Sequence, residues 1–132
     1  MAVSSSRSQL LPNLAGFVGA IPFFIGISGL LKPSDLLASA GFPAPTTLEA
    51  QKIADAITRL YAVRNTVIGL ISSAIWYRGD RKLLGWAMII MSISPVVDAL
   101  ISLDLIGGGM WNHLPIVPIT VGLGAGLLGW LG

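Results

Sequence analysis

Two ionisable side chains interrupt long apolar stretches of this sequence. Arg64 lies within the run 60–77, and Asp98 lies within the run 83–106. A charged side chain at the centre of a membrane helix costs about 2.5 to 3.5 kcal/mol, so it is kept mainly where it faces protein or a wet cavity and finds a partner. Because one residue is a cation and the other an anion, we expect each to pair with the other.

Further polar side chains accompany this pair. Tyr61, Arg64 and Asn65 share one helix face at spacings of three and four residues, and His113 precedes the last apolar run. Phenol, imidazole and carboxylate groups donate or accept protons in general acid–base catalysis. Their convergence predicts one polar pocket formed by all five residues, Asp98 included. The competing interpretation is structural, with the ion pair fixing helix register, Tyr61 anchoring the interface and His113 solvated.

The composition excludes an ordinary soluble domain. Of the 132 residues, 54% are hydrophobic and only 11% are charged, where a soluble domain has about 25% charged residues. There are no cysteines, which removes disulfides and thiolate chemistry. No nucleotide-binding or metal-binding motif is present, so we predict neither a cofactor nor a metal site. Eight Lys and Arg against six Asp and Glu, with no long basic run, argue against nucleic-acid binding.

Four apolar segments are long enough, at ~1.5 Å per residue, to cross a hydrocarbon core of about 30 Å. They are residues 11–31, 57–77, 83–106 and 114–131. We therefore predict an all-α fold, a four-span transmembrane helix bundle, in a single domain over residues 1–132. A secretory signal is the disfavoured alternative for the first segment, because its apolar run is too long and a cleavage-like site at 38–40 lies too far beyond it.

Cap and turn residues mark the connections between these segments. Ser34 is the predicted N-cap of a short interfacial helix after the first span, which Gly41 closes in the left-handed conformation. Thr46 and Glu49 fit a capping box that opens the long helix containing the second span. Pro95 predicts a kink in the third span.

Small residues indicate where membrane helices approach each other closely. In the first span these residues are Ala15, Gly19, Gly26 and Gly29. In the last span Gly122 and Gly126 form a G-x-x-x-G pair, which predicts a contact stripe.

Basic residues predict the orientation. The amino-terminal tail and the turn 77–82 together carry four of the eight Lys and Arg residues, so both termini are expected to be cytosolic. The endoplasmic reticulum is the expected membrane.

The same topology predicts the depth of the two charges. Arg64 lies 14 residues before Arg78, and Asp98 lies 15 residues after Leu83. At ~1.5 Å per residue both are roughly 21 to 22 Å from the cytosolic boundary. Helices joined by a short turn pack antiparallel and adjacent, so the two side chains should meet.

Several short motifs carry a resemblance. They are G-L-L-K-P at 29–33, G-F-P at 41–43, Y-A-V-R-N-T-V-I-G-L at 61–70 and G-D-R-K-L-L-G at 79–85, followed by Asp98 and His113. The pattern resembles a family of small four-helix membrane proteins of fungi and bacteria. Within that family the chain is similar to the integral membrane proteins of fungal secondary metabolism that rearrange an epoxide in prenylated quinolone alkaloid pathways.

The resemblance implies a cofactor-free isomerase-type reaction in which an epoxide oxygen is protonated and the ring opens to a cation-like centre. Asp98 would then be the ionised base or cation stabiliser, held by Arg64 and Asn65. The candidate acids would be His113 and the Tyr61 hydroxyl. If Arg64 points elsewhere, Asp98 itself becomes the acid. The aromatic rings of Phe23, Phe24 and Trp111 are candidates to steady positive charge.

The expected partners are an apolar small-molecule substrate and the lipid bilayer. The sequence leaves open a homo-oligomer or an association with other membrane enzymes of the same pathway. The alternative function is a non-catalytic scaffold or accessory subunit whose Arg64–Asp98 pair only fixes helix register. A transporter is disfavoured, because four short spans with one central carboxylate offer little machinery for alternating access.

Overall fold

A computed structural model describes residues 8–132 of the chain. The described part is all-α, as predicted. Its helices are α1 (Leu10–Leu31), α2 (Pro33–Ser39), α3 (Leu48–Arg78), α4 (Arg81–Met91), α5 (Ile93–Ile106) and α6 (Ile116–Leu128), with a short 3-10 turn at Met110–Asn112.

Three helical segments in the described part are long and apolar enough to cross a membrane. They are Leu10–Leu31, Arg81–Ile106 and Met110–Leu128. Large apolar side chains such as Phe17, Phe24 and Leu60 are exposed on the outer surface of the bundle. Extended exposed apolar surface marks an interaction site with another apolar phase, so these features indicate a membrane protein. The predicted second span lies in α3, which is not among these three segments.

Small residues bring α1 and α3 together, as the sequence predicted. Ala15 and Ala62 are completely buried. A Cβ atom at Gly26 would lie 2.5 Å from the carbonyl oxygen of Ala62, and one at Gly69 would clash with the backbone of Phe23. Glycine is therefore required where these two helix backbones approach.

The second close approach joins α4 to α6, and it corrects the predicted contact stripe. A Cβ atom at Gly124 would lie 2.7 Å from the carbonyl oxygen of Gly85. A Cβ atom at Gly122 would meet nothing within 4 Å, whereas one at Gly126 would touch Leu11 at 3.1 Å. The prediction for Gly122 was wrong because it lies on a face of α6 that is turned away from the neighbouring helices.

This difference gives a stability prediction. Gly124→Ala is expected to destabilise the protein by about 1–3 kcal/mol, because the added methyl group overpacks a backbone contact. Gly122→Ala is the matched control and should be neutral or stabilising, since alanine favours the helix by up to about 1 kcal/mol over glycine. Thermal unfolding of both variants in the same detergent measures the difference. Equal midpoints for the two variants would contradict the described packing.

The third predicted span is broken near Pro95, as expected. Helix α4 ends at Met91 and α5 begins at Ile93. Proline lacks the N–H that would bond to the carbonyl four residues earlier, which is that of Met91, and its ring crowds the same carbonyl. The Ser92 hydroxyl donates to the carbonyl oxygen of Ile89 at 2.6 Å, which satisfies part of the disrupted turn.

Two predicted caps are shifted in the structure. The N-cap of α3 is Thr47 and not Thr46, because the Thr47 hydroxyl accepts from the backbone N–H of Ala50 at 3.1 Å. With alanine at the third helical position there is no reciprocal capping box. Helix α2 begins at Pro33, so Ser34 is its second residue and not its cap. Gly41 closes this segment with a φ of 84°, in the left-handed region as predicted.

Candidate functional site

A cavity of about 460 Å³ lies among α2, α3, α5 and the linker that follows α2. Small-molecule sites have volumes of about 300–1,000 Å³ and are mostly apolar with a few polar groups. The lining here is mainly aliphatic, with Leu36, Phe42 and Ile101 among its residues. The polar residues on its wall are Thr58, Tyr61, Arg64, Asp98, Ser102 and His113. Four of the five predicted site residues therefore share one cavity.

The cavity exists because α5 stands apart from α3. Helix α4 packs against α3, whereas every Cα–Cα distance between α5 and α3 exceeds 8 Å. The helix break at Ser92 separates these two halves of the third span. Side chains must therefore reach across a gap to connect α3 with α5, and the space around them is available to a ligand.

Arg64 and Asp98 cross this gap and form the predicted ion pair. Nη2 of Arg64 donates to Oδ2 of Asp98 at 2.8 Å and to Oδ1 at 3.0 Å. The Arg64 side chain is 39% exposed and that of Asp98 only 12%. Arginine does not give up its proton in proteins, so both contacts are hydrogen bonds from a cationic donor. The alternative in which Arg64 points elsewhere is excluded by this geometry.

The aromatic ring of Tyr61 packs against the Arg64 guanidinium. The Cζ atom of Arg64 lies 4.8 Å from the centroid of the Tyr61 ring, one helical turn earlier in α3. A guanidinium over an aromatic face is attracted by the ring quadrupole. Nε of Arg64 is buried without a hydrogen-bond partner in the described part of the chain. Tyr61 and Asp98 therefore fix the position of the Arg64 cation while its other donors remain uncommitted.

His113 joins the site from the segment between α5 and α6. Its Nε2 lies 3.3 Å from Oγ of Ser102, which is 1% exposed. Ser102 follows Asp98 by four residues on α5, so the two share one helix face. Asp98 and Ser102 thus form one polar face of α5.

Asn65 does not take the predicted position. It is buried, and its Nδ2 donates to the backbone carbonyl oxygen of Tyr61 at 3.0 Å. A buried amide must satisfy its donors, and the carbonyl four residues earlier in the same helix is the nearest acceptor. Asn65 is therefore not among the cavity-lining residues and does not hold Asp98.

The predicted aromatic contacts are also absent from this cavity. Phe23 packs against Gly69 on the α1–α3 contact, and Phe24 stacks edge-on against Phe23 with a centroid distance of 5.4 Å. Trp111 is 73% exposed. These rings belong to helix packing and to the outer surface, so the only aromatic contact with the site's charges described here is that of Tyr61.

One wall of the cavity is formed by α2 and the following linker, and the sequence did not predict it. The available signal was the apolar pair Leu36 and Leu37 in a segment otherwise typical of an interfacial turn. Polar contacts attach α2 to α3 at this point. Nε2 of Gln51 donates to Asp55 at 2.7 Å and to Oγ of Ser34 at 3.2 Å, and Ser34 donates to Asp55 at 3.4 Å.

Among residues 8–132 the structure gathers no group of three or more histidine or acidic side chains suited to holding a metal ion.

Comparison with known proteins gives a family. No curated protein and no solved structure matches the chain. Residues 19–127 match a family described as a domain of unknown function, DUF4267. Since this match covers most of the 132 residues, the chain belongs to the DUF4267 family.

Proposed function

We propose that the protein is a small integral membrane enzyme that rearranges or cyclises an apolar metabolite without a cofactor, by acid–base opening of an epoxide. The observation that carries this proposal is the cavity itself. Its wall of mainly apolar residues carries a carboxyl group and an imidazole, and its volume is about 460 Å³. Acid–base chemistry on an apolar molecule needs this combination of proton-transfer groups and an environment poor in water.

The proposed membrane arrangement has four spans, with the second in the carboxyl-terminal half of α3. The support is the packing of α3 along α1, which is long and apolar enough to cross the bilayer. Gly16 lies against Trp76, Gly26 against Ala62, and Gly29 also against Ala62. Because α1 and α3 run side by side over this length, residues 62–76 lie at the same depths as α1.

The proposed orientation places both termini in the cytosol, with the endoplasmic reticulum as the membrane. The basic turn between α3 and α4 supports the cytosolic location of the termini, since positively charged loops favour the cytosolic side. At the same end of the bundle Nε1 of Trp76 donates to Asn13 at 3.2 Å. Trp86 stacks edge-on against Trp130 with a centroid distance of 5.5 Å. Tryptophan is enriched at membrane interfaces, so this end is suited to the headgroup level.

The proposed reaction assigns a role to each group. His113 in its imidazolium form, or the Tyr61 hydroxyl, gives a proton to the epoxide oxygen as a carbon–oxygen bond breaks. The Asp98 carboxylate stabilises the cation-like carbon that results. An internal nucleophile or a migrating group then forms the new bond, and Asp98 takes the proton that is released. The substrate gains one proton and loses one, so the product is an isomer of the substrate.

The substrate class follows from the cavity and from the resemblance of the sequence motifs. An apolar lining favours a molecule that partitions into the bilayer, and the prenylated epoxides of quinolone alkaloid pathways meet this description. Arg64 would act as a positioning residue, because its guanidinium is engaged with Asp98 and Tyr61.

The experiment is an assay of membranes from a host that expresses the chain, with membranes of the untransformed host as control. A prenylated epoxide is supplied, products are separated by liquid chromatography, and their masses are measured by mass spectrometry. We expect a new product of unchanged mass that takes up no oxygen from heavy-oxygen water, because the ring opens by internal attack. A product that is only the hydrolysed diol, or no product beyond the control, would contradict the proposal.

One observation favours the second candidate, a non-catalytic scaffold. The Arg64–Asp98 pair connects helices whose backbones do not otherwise approach. A scaffold could use the pair to hold α5 in place. The two candidates differ in what happens when both charges are removed together: a scaffold should tolerate the change, and an enzyme should lose its turnover.

A further inference from the structure

Ser102 differs from most hydroxyl-bearing residues of the described helices in the partner of its side chain. Ser34 donates to Asp55 and Ser72 to Sδ of Met91, whereas six other hydroxyl groups donate to a carbonyl oxygen three or four residues earlier. This group contains Ser39, Thr58, Thr66, Ser73, Ser92 and Thr120. The Ser102 hydroxyl instead lies 3.3 Å from Nε2 of His113. No carbonyl oxygen in the described part of the chain accepts from this hydroxyl, so its direction is informative.

The burial of Ser102 fixes the sense of the hydrogen bond. Ser102 is 1% exposed, so its hydroxyl cannot be satisfied by bulk water. Within the described part of the chain its hydrogen-bond partner is the imidazole. If Nε2 carried the hydrogen, it would donate to Ser102 and leave the hydroxyl proton without an acceptor. If Nε2 is unprotonated, the Ser102 hydroxyl donates to it and both groups are satisfied.

The position of the hydrogen on one imidazole nitrogen is set by the hydrogen bond that the other nitrogen makes. With Nε2 accepting from Ser102, neutral His113 carries its hydrogen on Nδ1. In the imidazolium form Nε2–H donates to Ser102, and the second N–H is again that of Nδ1. The other charged or titratable groups on the cavity wall are Tyr61 and Arg64 from α3 and Asp98 from α5.

We propose that Ser102 is a positioning residue that engages Nε2 of His113, so that Nδ1 is the nitrogen that donates to a ligand in the cavity. In the isomerisation the Nδ1–H bond breaks and the bond from hydrogen to the epoxide oxygen forms. The hydrogen bond from Nε2–H to Oγ of Ser102 is kept, so the ring is in the Nε2–H form until the proton that Asp98 takes from the substrate returns to Nδ1. The donation to substrate rests on the proposed function, whereas the hydrogen bond and the tautomer do not.

The first test reads the tautomer directly and needs no substrate. His113 is the one histidine in the chain, so nitrogen-15 spectra of protein labelled at histidine contain a single imidazole, provided that a purification tag without histidine is used. In lipid nanodiscs at a pH where the ring is neutral, we expect Nδ1 to be protonated and Nε2 bare. A wild-type spectrum with the hydrogen on Nε2 would overturn the proposal.

Three variants show whether Ser102 causes this tautomer. Ser102→Ala should shift the population toward the Nε2–H form, which is the form that free histidine favours in water. Ser102→Thr keeps the hydroxyl and should keep the wild-type tautomer. Ser73→Ala is the control, because the Ser73 hydroxyl donates to the Gly69 carbonyl of its own helix at 2.8 Å. An unchanged spectrum in Ser102→Ala would overturn the proposal even if the wild type shows the expected tautomer.

The second test uses turnover and separates the two proposals. Removing an outer hydrogen bond that orients a metal-bound histidine typically costs about 10–100-fold in activity, and we expect an effect of the same order for His113. Ser102→Ala should therefore lower kcat by a factor in that range and displace the pH profile of kcat. Ser102→Thr should have a kcat close to that of the wild type. If wild type turns over and Ser102→Ala matches it in rate and pH profile, the positioning role is refuted. The expected spectra in a protein that converts no epoxide would refute the function and leave the tautomer assignment standing.

Discussion

Asp98→Asn is expected to lower epoxide turnover by a factor of about 10² to 10⁴ while leaving the helices assembled. Asparagine has nearly the same shape and can still accept a hydrogen bond from Nη2 of Arg64. It cannot take a proton from the substrate, and it offers no full negative charge to the cation-like carbon. The rate of isomer formation by protein in nanodiscs measures the effect.

The matched control is Asp104→Asn. Asp104 lies on the same helix as Asp98 but is exposed, and it is not among the residues that line the cavity. The control should turn over at the wild-type rate. If both variants remain fully active, Asp98 has no role in proton transfer, and the assignment of acid and base groups fails.

The second large effect concerns stability and is strongly non-additive. Arg64→Leu leaves the Asp98 carboxylate, which is only 12% exposed, without its partner. Breaking a fully buried pair costs about 3–5 kcal/mol, and the lower end is expected here because the Arg64 side chain is partly exposed. Asp98→Leu strands a guanidinium that is 39% exposed and still lies over Tyr61, so its cost should be smaller, about 1–2 kcal/mol.

The double variant Arg64→Leu with Asp98→Leu should recover most of the lost stability. Two leucines remove both charges together, and replacing a buried pair by apolar residues is often neutral or stabilising. Unfolding in mixed micelles of the wild type, the two single variants and the double variant completes the cycle. A double variant whose loss equals the sum of the single losses would show that the two side chains do not depend on each other.

The meeting of Arg64 with Asp98 could be predicted from sequence because it depends on few quantities. The short turn 77–82 fixes two antiparallel helices, and the rise per residue then gives the depth of each charge. The choice of partners was equally constrained, since they are the two charges nearest the middle of their apolar runs. Counting along the helices was sufficient for this contact.

The cavity around the pair could not be predicted in the same way. The sequence indicates a kink at Pro95 but not the direction in which the following helix leaves. In the structure α4 packs on α3 and α5 does not, so the break produces a gap. Helix α2 forms another wall of the cavity, and its position depends on tertiary contacts of Gln51 and Asp55 with Ser34.

Local sequence patterns were least reliable where two equivalent choices lie close together. Thr46 and Thr47 are adjacent, and only the hydroxyl of Thr47 reaches the N–H of Ala50. Gly122 and Gly126 fit a contact motif, but the closest backbone approach falls at Gly124. Asn65 shares a face with Arg64 in sequence spacing, yet its amide bonds to its own helix. Each case is decided by side-chain or helix orientation, which spacing alone does not contain.

The turnover of the double variant, Arg64→Leu with Asp98→Leu, tests the central claim most directly. The protein should be purified alone in lipid nanodiscs, with unfolding measured on the same sample. Our account predicts a folded bundle close to wild type in stability that forms no isomer from the epoxide. Isomer formation at the wild-type rate by that folded variant would show that the cavity charges take no part in the reaction.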